Sequence, residues 1–178
     1  MPRRFLLDQN FPNPRFDIHA LDANATYTHI SAVAPDLVRQ STPDWMIYLE
    51  ASRAGFDGVV TRDAAQAQQI DELVALNRTA LTLVTWRRKI EDPVLEWGQI
   101  LAYMPQVLAQ MSAPGPRIIL LPAPRLAEGS IVTPSALIHQ EAARRRGMSF
   151  PELEAETLDR MRADPLLRNH PEYRPLLD

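Results

Sequence analysis

The chain contains no cysteine, which removes disulfides, thiol nucleophiles and cysteine-based zinc sites from consideration. Glycine is scarce, with 6 in 178 residues, and none falls in a phosphate-binding loop or a dinucleotide fingerprint. A Gly-x-Ser-x-Gly motif is also missing, so a serine-hydrolase triad has no support. Long apolar runs are absent. Phe5, Leu6 and Leu7 are too few for a signal-peptide core, and no segment approaches the ~20 apolar residues a bilayer requires. A cytoplasmic protein without membrane contact is expected. Lysine is nearly absent, since Lys89 is the sole lysine among 19 basic residues. The net charge of −3 means that the overall field does not draw the chain to nucleic acid. His19, His29, His139 and His170 are scattered without metal-ligand spacing.

What is present is ordinary globular composition, with 46% hydrophobic and 23% charged residues. The length suits one domain with a substantial core and an appendage. Short apolar or β-branched runs at 4–9, 26–33, 57–61, 79–86 and 117–121 predict five strands. Helices are expected between them: a weak one over 15–23, then 43–54 with Thr42 as N-cap and Gly55 as stop, and 64–76. A long helix begins at Asp92-Pro93, with Val94, Trp97, Leu101, Met104, Leu108 and Met111 on one stripe and Pro105 as a kink. This alternation predicts an α/β fold, a parallel sheet of about five strands sandwiched by helices. The core is expected over 1–126 and a helical C-terminal extension over 127–178. In that extension Thr133-Pro134 opens one helix, Ser149 and Glu152 form a capping box for a second, and 164–178 reads as extended. Trp45, Trp86 and Trp97 are expected in the core or at subunit contacts.

Ligands of open parallel sheets bind outside the carboxyl ends of the strands. Asp8 and Asp63 each follow an apolar strand directly, and Asp44 opens a crossover helix. Carboxylates gathered in one crevice repel one another, which makes an oxygen-loving divalent cation, Mg²⁺ or Mn²⁺, their natural partner. Each acid also has a plainer role: Asp63 as a helix cap, Asp44 as first-turn charge on the dipole, Asp8 in an Asx-type turn with Asn10.

Phe5-Leu6-Leu7-Asp8-Gln9-Asn10-Phe11-Pro12 resembles the opening of PIN-like proteins, whose first strand commonly ends in Asp-Glu-Asn with a proline close behind. Val59-Val60-Thr61-Arg62-Asp63 is similar to their later strand ending in Thr-Arg-Asp, and Thr42-Pro43-Asp44 matches their acid at a helix start. The resemblance spans about residues 4–122 and implies a Rossmann-like three-layer fold. It also implies a metal-dependent nuclease, most often acting on RNA and often the toxin of a toxin–antitoxin pair. On that resemblance Asp8, Asp44 and Asp63 would be catalytic and hold the cation, Asn10 and Thr61 would support them, and an antitoxin or a second copy would be a partner. Gln9 departs from the family's usual glutamate and removes a charge. The family's fourth acid has no clear counterpart, with Asp71, Glu91 and Asp92 as the candidates.

Arg62 and the run Arg87-Arg88-Lys89 lie at the same predicted edge and could meet RNA phosphates, or form a solvated loop with Glu91 and Asp92. Arg144 to Arg146 suits a helix C-terminus without any ligand. The competing reading is a PIN-like scaffold with weak or no catalysis, working as a protein-binding or assembly module. An aspartate-based phosphoryl-transfer domain fits less well, because Lys89 is the one lysine and Asn10 stands where such phosphatases need a second aspartate.

Overall fold

A computed structural model describes residues 1–11, 22–39, 42–87, 92–113, 115–122, 130–145 and 147–178. The helix expected over 15–23 lies almost entirely outside them. Six strands form one sheet in the order β2-β1-β3-β4-β5-β6. They are β1 (Arg3–Leu7), β2 (Ala25–His29), β3 (Gly58–Val60), β4 (Thr82–Trp86), β5 (Arg117–Leu121) and β6 (Ser130–Val132). The first five are mutually parallel, and β6 runs antiparallel to β5. The fold is α/β and three-layered, as the alternating pattern predicted, with one edge strand more than expected.

Alternation along the strands separates the two faces, because successive side chains of a strand point to opposite sides. Leu6, Val59, Leu83 and Ile118 share a core with α3 (Asp44–Arg53), α4 (Ile70–Asn77), α6 (Pro134–Arg144) and α7 (Phe150–Ala163). Phe5, Leu7, Val60, Val84, Ile119 and Leu121 pack on the other face against α5 (Pro93–Gln110). Both faces are covered, which is why these strands read as continuous apolar runs. Gly58 has no room for a side chain: a Cβ there would stand 2.6 Å from the Thr82 carbonyl oxygen and 2.8 Å from the Phe5 ring.

Several local expectations are corrected. The run over 26–33 is strand only to His29. Ile30–Val33 forms the short helix α1, which His29 caps through Nδ1, and α2 (Pro35–Arg39) follows. Pro43, not Thr42, occupies the N-cap position of α3, and no side chain caps that helix. The stretch 64–76 divides into a 3₁₀ turn (Ala64–Ala67) and α4. Helix α5 runs through Pro105, and its buried face includes Trp97, Ile100, Met104, Val107 and Met111, while Val94 is 79% exposed. The segment 164–178 is helical in short pieces, α8 (Pro165–Arg168), a 3₁₀ turn (Pro171–Tyr173) and α9 (Arg174–Leu177). The capping box of Ser149 and Glu152 is present at the start of α7. Trp45, Trp86 and Trp97 are all buried.

The C-terminal extension shares the core of the sheet. Helix α4 packs against α3, α6 and α7, and Ile138, Leu153, Leu167, Tyr173 and Leu177 join the same buried cluster as Leu6 and Val59. Tyr173 donates its hydroxyl to Glu50 Oε2 at 2.5 Å, and Arg53 pairs with the same carboxylate at 2.7 Å. No helix among the described residues is long and apolar enough to cross a membrane.

Candidate functional site

The strand order 2-1-3-4-5 reverses direction between β1 and β3, the place where open α/β sheets leave a crevice at the strand ends. Asp8 follows β1 and Asp63 stands three residues after β3, so both acids come from the two strands that flank this reversal. Asp44 opens α3 on the crossover into β3. The three acids read from the sequence therefore converge.

Asp8 is wholly buried. Its Oδ1 accepts from the Gln9 backbone N–H at 2.6 Å, and its Oδ2 accepts from the Thr61 hydroxyl at 2.8 Å and Gln66 Nε2 at 3.2 Å. Behind it the chain turns back, with the Phe11 N–H bonded to the Asp8 carbonyl at 2.9 Å and the Phe11 ring packed against Trp86 and Trp97. Burial pushes the Asp8 carboxyl above its ordinary range, against the pull of those hydrogen bonds, and the Asp63 charge adds to the rise.

Asp63 does cap a helical turn, accepting from the Ala65 N–H at 2.8 Å, while its own N–H donates to Thr61 Oγ1 at 3.0 Å. One threonine hydroxyl thus links the two acids. Asp44 receives the Gln9 side-chain amide at 3.4 Å. Burial, then the charge of Asp8, pushes its carboxyl up to about 6. Gln9 places an amide donor where a glutamate would place a third negative charge, and Gln66 does the same for Asp8. Tyr48, buried on α3, fixes Gln66 by donating to its Oε1 at 2.9 Å.

A further acid in the field of these three is Glu72, which sequence reading passed over in favour of its neighbour. On α4, Asp71 turns outward and pairs with Arg160, whereas Glu72 is 4% exposed and lies in the field of Asp44, Asp63 and Asp8. Burial first, then those three charges, pushes its carboxyl up to about 8. Its Oε2 has no hydrogen-bond partner among the described residues. The available signal was an acid inside the otherwise apolar run Ile70 to Leu76, one position along from a solvent-facing one. Asp92 caps α5 instead, and Glu91 lies outside the described residues.

The remaining predicted residues divide. Thr61 hydrogen-bonds both the Asp8 carboxylate and the Asp63 backbone. Asn10 takes part through its carbonyl, which accepts from Arg62 at 3.3 Å. Arg62 is drawn against α5 by a 2.5 Å ion pair with buried Glu96. Asn10, Arg62 and Asp63 line an open cleft of about 440 Å³, and Asp44 and Glu72 line another of about 320 Å³. Arg87, the residue after β4, lines a third groove, and Arg88 is outside the described residues.

The donor set is oxygen only, which suits a hard divalent cation, and the orphaned Glu72 oxygen is the kind of buried group that such an ion satisfies. Among the described residues, no three His, Cys, Asp or Glu side chains are arranged to hold an ion. The Gln9 and Gln66 amides are what meet Asp8 and Asp44. A scan of protein-family models, a search of curated proteins and a search of solved structures each return no match to this chain.

Proposed function

We propose that the chain is a divalent-metal-dependent nuclease acting on RNA, with Asp8, Asp44, Asp63 and Glu72 as its acidic centre. The observation that carries this reading is the gathering of four carboxylates at the reversal of the sheet, three of them with raised pKa values. Such a cluster is costly to ionise without a cation, and carboxylates pushed up together in this way concentrate at functional sites. Mg²⁺ or Mn²⁺ held by these acids would supply an activated water and neutralise charge on a scissile phosphate. The chain's own part is positioning. Thr61 and Gln66 hold Asp8 in one rotamer, Thr61 tethers Asp63, and the cleft beside Asn10 and Asp63 admits a phosphodiester backbone. Without a cation Glu72, its carboxyl pushed up to about 8, keeps its proton at neutral pH, and a divalent ion held beside it would displace that proton.

The test is cleavage of labelled single-stranded RNA and DNA in Mn²⁺ or Mg²⁺ by wild type and by Asp8→Asn, purified identically. Wild-type cutting that EDTA stops and Asp8→Asn loses supports the reading. Equal cutting by both removes it.

A second reading is a PIN-like scaffold that binds a protein partner, such as an antitoxin or a second copy, without catalysis. It is favoured by the two glutamine amides, which satisfy Asp8 and Asp44 with no ion required. Absence of cleavage, together with a melting temperature unmoved by Mn²⁺, would bring it forward.

A further inference from the structure

Two basic runs that the acidic centre does not use, Arg87-Arg88-Lys89 and Arg144-Arg145-Arg146, lie far apart in sequence. The fold brings the first residue of each to one groove of about 570 Å³ between the end of β4, the 3₁₀ turn after Asp63 and helix α6. We propose that this groove binds single-stranded RNA beside the cleavage centre, its arginines meeting phosphates and its apolar floor meeting a base. The inference rests on the nuclease reading for its position on the substrate, while the groove itself is argued from its own residues.

Leu120, Val132 and Leu137 form the floor, and all three are only half-buried, so the sheet's β5–β6 edge leaves apolar surface uncovered there. Arg87, Arg144 and Gln68 are exposed along the rim. Glu141 also lines the groove and pairs with Arg144 at 3.7 Å and Arg145 at 3.2 Å. Among the lining residues two guanidinium groups, those of Arg87 and Arg144, stand against the single carboxylate of Glu141, in a protein whose net charge is negative. A positively charged groove with an apolar floor is the combination by which single strands are held without sequence readout. Its volume lies in the range that encloses a ligand the size of a nucleotide.

Continuity with the acids decides the register. Ala64, the residue after Asp63, lines this groove and also the cleft that holds Asn10, Arg62 and Asp63. A strand entering the acid cleft can therefore continue over the 3₁₀ turn and along Gln68 toward Arg144. Duplex RNA presents no unstacked base to such a floor, so the groove selects single-stranded flanks.

The test is fluorescence anisotropy of a labelled single-stranded RNA in EDTA, where no cleavage intervenes. The proteins are wild type, Arg87→Gln/Arg144→Gln, each single variant, and Asp8→Asn. Wild type is expected to bind. The double variant is expected to lose roughly tenfold or more in affinity, and its salt slope should fall by about 0.7 for each phosphate contact removed. Each single variant should show part of that loss at an unchanged melting temperature. Asp8→Asn removes an acid from the cleavage centre and should bind no more weakly than wild type. A double variant that binds with wild-type affinity and slope overturns the proposal, as does a wild type that binds no RNA. Binding that is lost in the double variant, with no Mn²⁺-dependent cleavage by wild type, would retain the groove and reject the nuclease.

Discussion

Glu72 is the residue with most at stake in the local field. Its carboxyl is pushed from an ordinary value of 4.5 up to about 8, and Asp44 is pushed from 3.8 up to about 6. Both shifts are upward, so the folded chain holds these protons more tightly than the unfolded chain. The associated stability is present below the unfolded pKa and is lost as pH rises through the folded one, at up to about 1.4 kcal/mol per pH unit for each group. In EDTA the melting temperature of the wild type should fall between pH 5 and pH 8. Glu72→Gln should flatten that fall and melt higher than wild type at pH 8. Parallel pH profiles for the two proteins would contradict the burial argument. Mn²⁺ should raise the wild-type melting temperature at pH 8, and the rise should shrink in Glu72→Gln. Thr61→Val removes one hydroxyl that serves both Asp8 and Asp63. It should cost about 1–3 kcal/mol in denaturant unfolding, because a buried carboxylate loses a donor without losing its charge.

Among the elements, β3 has least tolerance. It has three residues, lies between β1 and β4, and starts at a glycine whose added Cβ would collide with the backbone of β4. Gly58→Ala should destabilise the chain by roughly 2–4 kcal/mol and should disturb Asp63 along with the strand; a circular-dichroism melt checks the first effect. At this scale the sequence was legible where burial and period agreed. Strand β5 falls at the residues expected, since Ile118 to Leu121 is apolar and a proline-glycine turn precedes it. Asp8 was legible because it ends an apolar run, and Asp63 because it stands just beyond one. Where local propensity met tertiary packing, the pattern misled. Ile30 to Val33 is β-branched at both ends yet helical, because the His29 side chain caps the turn and Ile30 is needed in the core. Helix α5 buries a face that includes Ile100 and Val107 in place of Val94, because Glu96 faces inward to meet Arg62. Glu72 was legible only as an acid set in an apolar run, since it is the packing of α4 on α3 that turns it toward acids remote in sequence.

Across the whole molecule, the C-terminal extension and the sheet depend on one another. Helices α6 and α7 cover α4, the helix that carries Glu72, and Tyr173 reaches Glu50 on α3, the helix that carries Asp44. Deleting residues 127–178 should leave an aggregation-prone chain without a cooperative melt, because it strips α6, α7 and the last helical turns from a core face that they share with α3 and α4. A soluble, cooperatively folding 1–126 fragment would refute this. Tyr173→Phe is the milder probe and should cost roughly 1–2 kcal/mol, with Arg53 still neutralising Glu50.

The bond between Tyr173 and Glu50 joins positions 123 residues apart. A ribosome delivers β1 to β5 and all four acids well before it delivers Tyr173. Until then Glu50 has Arg53 without the tyrosine. Contacts of such separation are made late and slowly. The acidic centre is thus encoded early but braced last, and the timing of its assembly is set by the distal end of the fold.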